Sequence, residues 1–418
     1  ERNMHYKFNP HPKDISLQNC ALCGVGCVIQ TETQAGTITK ITTSQKEPGF
    51  NGKNLCFKGR FGWQGLYDKD RLNVPLLKQN GYFKEISWQE AASLIAEKIA
   101  LCNSQRFEIS PHISLEEMLM LQRVADKYET KLCANPAFAY FSDSFLSLKP
   151  ESEPYKILEN YDEYVVYGEL NQVLSSLIRL QQRKGKKLVL VNYPESPYRR
   201  FADANYANLQ EVQATQKTLF VYNQNRITEQ EAYNLWCFAS KIGTENILVS
   251  TDYRNHRGFL AMKPDFSEKV ADFVLGWGVY PALADQAKFS IAIMNFQDET
   301  APVDLLIPAP SFLEIEGTSL SDLAQITKSA NPAKSIVINE LMRLMYKLNW
   351  IHPNSAEIPF WNYEAEKLLI SLQNYAPNKF EPSFIKPEDL SKGIKVIPAQ
   401  AEKYIAALFE LRQKPTSF

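Results

Sequence analysis

Charge imbalance is what this sequence most plainly lacks. Its 46 Lys and Arg face 47 Asp and Glu, leaving a formal net charge of −1. Without a basic excess there is no electrostatic footprint for a polyanion, so nucleic acid is not an expected partner. Long apolar runs are missing too. No stretch approaches the roughly 20 residues that a membrane helix needs, so no direct membrane insertion is expected. The start, Glu1-Arg-Asn-Met-His, has neither a basic segment followed by an apolar one nor a twin-arginine pair, and it lacks an initiator Met. A processed chain, or the downstream part of a longer one, would begin this way. Cysteine is scarce: seven in 418 residues, too few and too unevenly placed for a disulfide framework. No Gly-x-Gly-x-x-Gly, Walker loop, Gly-x-Ser-x-Gly or His-Glu-x-x-His pattern occurs.

What is present is an α/β pattern, in a chain long enough for two to four domains. Val28-Ile-Gln-Thr-Glu-Thr and Thr37-Ile-Thr-Lys-Ile-Thr flank an Ala-Gly turn and predict a hairpin. Ser87 and Glu90 form a capping-box pair ahead of a helix, and a second helix follows Ser114. Apolar runs at 164–168, 187–192, 218–222, 246–250, 271–278, 289–294 and 304–308 read as buried strands, with helices at 172–184 and 229–240 between some of them. That alternation predicts parallel sheets. After about residue 350 the order weakens into Pro-rich turns and a closing helix near 399–412.

Four of the seven cysteines fall within the first 56 residues. Cys20-Ala-Leu-Cys23-Gly-Val-Gly-Cys27 puts three thiols in one loop, and Cys56 follows 29 positions after Cys27. Three close thiolates and one remote are how a cubane [4Fe-4S] cluster is usually held. Zinc, which takes matched pairs, and two disulfides are the other readings. Cys102, Cys133 and Cys237 sit in helical or apolar contexts that suit buried structural thiols. Lys58, two positions past Cys56, is either a plain surface cation or a cationic bridge beside the cluster.

These motifs resemble the molybdopterin oxidoreductase superfamily, which includes formate dehydrogenases, periplasmic-type nitrate reductases and the large iron–sulfur subunit of respiratory complex I. The four cysteines match its opening motif. Gly59-Arg60-Phe61-Gly62, Arg71-Leu72 with Pro75-Leu76, and Ser87-Trp88-Gln89-Glu90-Ala91 match its continuation. Farther on, Glu299-Thr300-Ala301, Asp304 to Pro308 and Phe312 to Thr318 with Gln325 resemble a second family stretch. The resemblance implies a small N-terminal [4Fe-4S] domain (1–75) with antiparallel strands. Two Rossmann-like parallel-sheet domains would follow, one discontinuous (76–145 and 245–350) and one inserted (146–244), and then a C-terminal extension (351–418).

Departures from the family set the functional expectation. Catalytic members carry a Cys, selenocysteine or Ser metal ligand shortly after the helix corresponding to 116–128. Here Cys133 comes several residues early, and Ser142 has neighbours that give it no support. Gly168-Glu-Leu-Asn171 lacks the family's Pro, Ala324 stands where an Arg is expected, and the catalytic members' C-terminal cap over the pterin has no counterpart before Phe418. The resemblance is therefore to the complex I large subunit, which keeps the fold and cluster without molybdenum. It implies an electron-transfer and scaffold subunit with other redox subunits as partners, located in the cytoplasm and peripheral on the inner face of the cytoplasmic membrane. A split or truncated molybdenum or tungsten bis-pterin enzyme such as formate dehydrogenase is the alternative; it would need His112 and His256 near the metal. Asn255-His-Arg257-Gly258 resembles a family loop near the pterin and reads equally as a β-turn. Glu299, Asp304, Glu314 and Glu316 form an acidic group expected to orient loops.

Overall fold

The computed structural model describes residues 14–352, apart from 45–48, 50, 136–137, 139–157, 245, 323–325 and 336. The closing helix, nearly all of the C-terminal extension, Ser142 and Gln325 lie outside the described residues.

At the N-terminal end β1 (Asp14–Asn19), β2 (Val28–Gln34) and β3 (Thr37–Thr42) form an antiparallel sheet in that order. The hairpin read from sequence is β2–β3; Ala35 and Gly36 turn it at φ 51° and 80°. Ile29, Ile38 and Ile41 point into the core. β1 escapes the sequence pattern because Ile15 and Leu17 face solvent, whereas the buried side chain is Gln18, which donates to Thr31 Oγ1 at 2.9 Å. A short helix, α1 (Phe57–Phe61), follows.

The next elements are β4 (Leu76–Gln79), β5 (Tyr82–Glu85), α2 (Trp88–Ala100), β6 (Gln105–Ile109), α3 (Leu115–Lys127) and β7 (Leu132–Ala134). Both long helices begin on complete capping boxes, Ser87 with Glu90 and Ser114 with Glu117, so their first free N–H groups are satisfied by side chains.

A parallel sheet is then laid down by β8 (Glu163–Tyr167), α4 (Gln172–Arg183), β9 (Lys187–Val191), β10 (Ala204–Tyr206), β11 (Thr218–Asn223), α5 (Glu229–Ile242) and β12 (Ile247–Ser250). Its order is β10-β9-β8-β11-β12, with every pair parallel. The chain order reverses between β8 and β11, and the carboxyl ends of those strands are where α/β sheets of this type place ligands. β12 pairs with β11, so Ile247–Ser250 belongs to the five-stranded sheet. Leu248 packs on one face of this sheet, and Ile247 and Val249 on the other.

From α6 (His256–Ala261) the chain returns to the earlier strands through β13 (Phe273–Trp277), β14 (Phe289–Met294) and β15 (Leu305–Pro308). The resulting seven-stranded sheet runs β5-β4-β15-β14-β13-β6-β7; β4 pairs antiparallel with both β15 and β5, and the other pairs are parallel. A separate hairpin, β16 (Gly317–Leu320) and β17 (Ile326–Ser329), precedes α7 (Val337–Lys347).

The fold is thus α/β, a small antiparallel sheet followed by two sheets built mainly of parallel strands. α2, α3 and α7 share one hydrophobic core with the seven-stranded sheet. Cys20, Cys27, Ile29, Ile38, Ile41 and Trp63 share a core with the β8, β9 and α4 side of the five-stranded sheet. That shared core fixes the cysteine loop against the larger body. Among the described residues, no helix is long and apolar enough to cross a membrane.

Candidate metal centre

The cysteine loop spans β1 and β2. The Cys20 N–H donates to the Cys27 carbonyl at 2.7 Å, closing the loop, and Asn19 Nδ2 donates to the Gly26 carbonyl at 2.9 Å. Gly26 has φ +68°, and a Cβ there would meet Thr327 and Ser321. At Gly24 an added Cβ would lie 2.1 Å from Asp322 Oδ1. The loop can only lie this close to its floor without those side chains.

Cys56 reaches the loop by way of Asn51. The fully buried Asn51 amide accepts from the Val28 N–H at 2.8 Å and donates to the carbonyls of Val28 (3.1 Å) and Asn54 (2.9 Å). This clamps the incoming segment beside Cys27. Cys56 then caps α1, its Sγ accepting the Gly59 N–H at 3.2 Å.

All seven cysteines are free thiols. Cys20, Cys23, Cys27 and Cys56 are near enough to act on one another electrostatically. Burial pushes the Cys20 thiol up to about 12, with Cys56 adding to the rise and the Arg254 guanidinium opposing it. Cys23 and Cys27 are raised by the same burial and by neighbouring thiols. Among the described residues, no three His, Cys, Asp or Glu side chains close around a single-ion position.

Below the loop lies Asp322, 2% exposed. Its N–H donates to the Gly24 carbonyl at 2.7 Å, and its carboxyl accepts from Thr251 N (2.7 Å) and Thr251 Oγ1 (3.0 Å). Burial pushes it up to about 7 against the pull of Thr251 and Arg257. At the carboxyl ends of β8, β11 and β12 the crevice holds the protein's own polar side chains. Asn223 Nδ2 and Ser250 Oγ donate to Asn171 Oδ1 (2.7 and 2.8 Å), and Asn171 Nδ2 donates to the Thr251 carbonyl at 3.2 Å.

Two family patterns match this chain: the "Molybdopterin oxidoreductase Fe4S4 domain" over residues 19–68 and "Molybdopterin oxidoreductase" over 71–234, together just over half of its length. The chain belongs to the molybdopterin oxidoreductase family. It is 34% identical over 132 residues to the "Putative formate dehydrogenase YrhE" of Bacillus subtilis (strain 168), a stretch covering 28% of this chain and 13% of that protein. It is 26% identical over 123 residues to a subunit of the NADH-quinone oxidoreductase of Rhizobium meliloti (strain 1021), covering 28% and 14%. The chain therefore spans only a small part of the curated relatives it matches. Among solved structures, "Acetylene Hydratase from Pelobacter acetylenicus" superposes with a TM-score of 0.53 at 11% identity, covering 80% of this chain and 69% of that one, a likeness of fold.

Within this molybdopterin oxidoreductase fold the remaining sequence candidates scatter. Lys58 is exposed on α1. Cys133 lies inside β7, buried, its thiol donating to the Lys131 carbonyl at 3.3 Å. Of the acidic group, Glu314 pairs with Arg71 at 2.6 Å, Asp304 accepts from Ser290 N and Oγ at 2.8 and 2.9 Å, and Glu299 is exposed, so these three serve separate places. Asn255 leads into α6, not into a β-turn: its amide donates to the Ile113 carbonyl at 3.1 Å and accepts from Leu320 N at 2.8 Å.

His112 and His256 do come together, both against Tyr253, with ring centroids 5.0 and 5.6 Å from it. Burial, with Arg257 and His112 adding, pushes His256 down to about 3. The unfolded chain takes up this proton near the ordinary pKa of about 6.5, while the folded chain does not. Stability therefore falls as pH drops below about 6.5, by at most about 1.4 kcal/mol per pH unit from this group. His256→Phe is expected to flatten the decline of urea midpoints between about pH 6.5 and 4.5. Identical slopes in both proteins would remove His256 as the cause.

The sequence alone does not single out Arg254, Asp322 or Asn51. Only Asn51 carries a local signal, the Asn-Gly turn pair with Gly52.

Proposed function

We propose that the chain is an iron–sulfur electron-transfer and scaffold subunit of a larger oxidoreductase complex, with one [4Fe-4S] cluster on Cys20, Cys23, Cys27 and Cys56 and no molybdenum catalysis. The observation that carries this reading is the gathering of four free thiols by one closed loop and one asparagine clamp. Buried thiols that resist ionising alone suit cationic iron, which inverts that preference. The glycines at 24 and 26 leave the loop backbone free to face cluster sulfur.

The fit to molybdenum and its pterin is poor among the described residues. Cys133, the nearest thiol after α3, is committed to a strand and bonded to its own neighbour's carbonyl. The crevice at the reversal of strand order, the expected nucleotide position, is occupied by Asn171, Asn223, Ser250 and Thr251. When bound, the cluster would supply one-electron exchange with a neighbouring redox centre. The protein's own contribution is to hold the four ligands, keep two of them from water and offer its sheets as a docking body. Other redox subunits are the proposed partners, in the cytoplasm and peripheral on the inner membrane face. Lys58, exposed two residues from Cys56, would serve as a cationic bridge from the cluster to a neighbouring cofactor.

The second reading is a split molybdenum or tungsten bis-pterin enzyme; the 34% identity to the formate dehydrogenase relative favours it. Protein purified without oxygen is expected to hold about four irons and four labile sulfides per chain, with molybdenum and tungsten only in traces. Either heavy metal near one atom per chain would overturn the scaffold reading in favour of the second.

A further inference from the structure

A second group of buried charges lies behind the cysteine loop. Arg254, just ahead of α6, sends Nε to Ser319 Oγ at 3.1 Å and Nη2 to Ser329 Oγ at 3.3 Å. Those serines belong to the β16–β17 hairpin, which is the floor of the loop. Its Lys328 N–H donates to Asn19 Oδ1 at 3.0 Å, and Ala330 N–H just beyond it donates to Gln18 Oε1 at 2.8 Å. Arg254 Nη1 lies 4.0 Å from Glu117 Oε2. Glu117 is fixed in turn by Ser114 N and Oγ, both at 2.7 Å. Arg254 and Glu117 side chains are 6% and 4% exposed, so neither is screened by solvent. Of these two charges, the guanidinium is the one bonded to the hairpin on which the cysteine loop rests.

We propose that Arg254 and Glu117 are positioning residues that set the reduction potential of the cluster, the arginine raising it and the glutamate restraining that rise. This rests on the four-cysteine cage proposed above. Reduction adds one electron from a one-electron donor to the iron–sulfur core, and no bond is made or broken. The added negative charge is stabilised by a nearby buried cation and opposed by a buried anion. The two serines orient the guanidinium without neutralising it; Glu117 stands at the full 4.0 Å, and the buried Glu116 also acts on it. A unit charge about 10 Å from a centre, at an effective dielectric of about 20, shifts an equilibrium roughly tenfold. For a one-electron couple, about tenfold is 59 mV.

The test is a potentiometric titration with dithionite, followed by EPR, on anaerobically purified wild type, Arg254→Lys, Arg254→Gln and Glu117→Gln, with iron and sulfide measured on each. Arg254→Gln is expected to make reduction about tenfold less favourable, and Arg254→Lys to retain most of the wild-type midpoint. Glu117→Gln should move the midpoint the other way, by less, because its charge acts from behind the guanidinium. Shifts of opposite sign at equal iron content are what a purely structural role would not give. If Arg254→Gln fails to fold, the Lys variant and Glu117→Gln decide the matter, and a Glu117→Gln midpoint that stays put or falls overturns the proposal. Iron-loaded variants with unmoved midpoints overturn this pairing alone; a wild type without iron overturns the cage itself, and the pairing with it.

Discussion

Cys27→Ala is expected to lose its iron by more than about tenfold, while Cys133→Ala keeps the wild-type content. Cys27 is 4% exposed, and its carbonyl closes the loop onto Cys20. Removing its sulfur would leave one corner of the proposed cube without its ligand, in a buried core shared with Val25 and Trp63 where water has little access to stand in. Cys133 makes the matching control because it is also buried, yet it lies in β7 with its thiol on the Lys131 carbonyl. Cluster binding and folding are coupled wherever ligands converge only in the native state. The Cys27 variant should therefore also unfold at lower temperature than anaerobic wild type. Iron lost equally from both variants, or from neither, would refute the assignment.

Arg71→Ala is expected to destabilise the loaded protein by about 3–5 kcal/mol, read as a fall in the urea midpoint. Arg71 is 6% exposed and donates to Glu314 Oε2 (2.6 Å) and to the carbonyls of Ala309 (2.9 Å) and Asn295 (3.2 Å). One side chain thus joins the entrance to β4 with the segments leaving β14 and β15. Its loss leaves the largely buried Glu314 carboxylate with the Ser311 N–H at 2.6 Å, and takes a donor from each of two carbonyls. Replacing both partners, Arg71→Met with Glu314→Leu, should cost less than Arg71→Ala, because no charge is left stranded. A double variant at least as unstable as the single one would show that shape, not charge, governs the position.

The sequence was most legible where local physics and the final fold agree. The two capping boxes name their helices because the cap is a contact between residues three apart. Strands such as β8 and β11, buried on both faces, appear as unbroken apolar runs. The four cysteines were visible from spacing alone. β1 was not, since its inward side chain is a glutamine satisfied by partners 13 and 312 positions away. β16 and β17 were missed for a related reason: Gly317, Thr318, Ser319 and Ser329 are small and polar, and they are buried because Arg254 and Glu116 need their hydroxyls and N–H groups. Buried charges answer to tertiary neighbours, so no periodicity announces them. Nor does an α/β strand such as β12 carry a mark of which sheet will receive it.

The floor beneath the cysteine loop has a consequence for biosynthesis. Lys328 meets Asn19 across 309 positions of chain. At about 5–20 residues per second, a ribosome releases the thiols on the order of 15–60 s before their support exists. Over that interval the sulfurs are nascent, solvent-facing and oxidisable. The proposed cluster would then be delivered late, after the hairpin has closed, or by a carrier that shields the thiols until then.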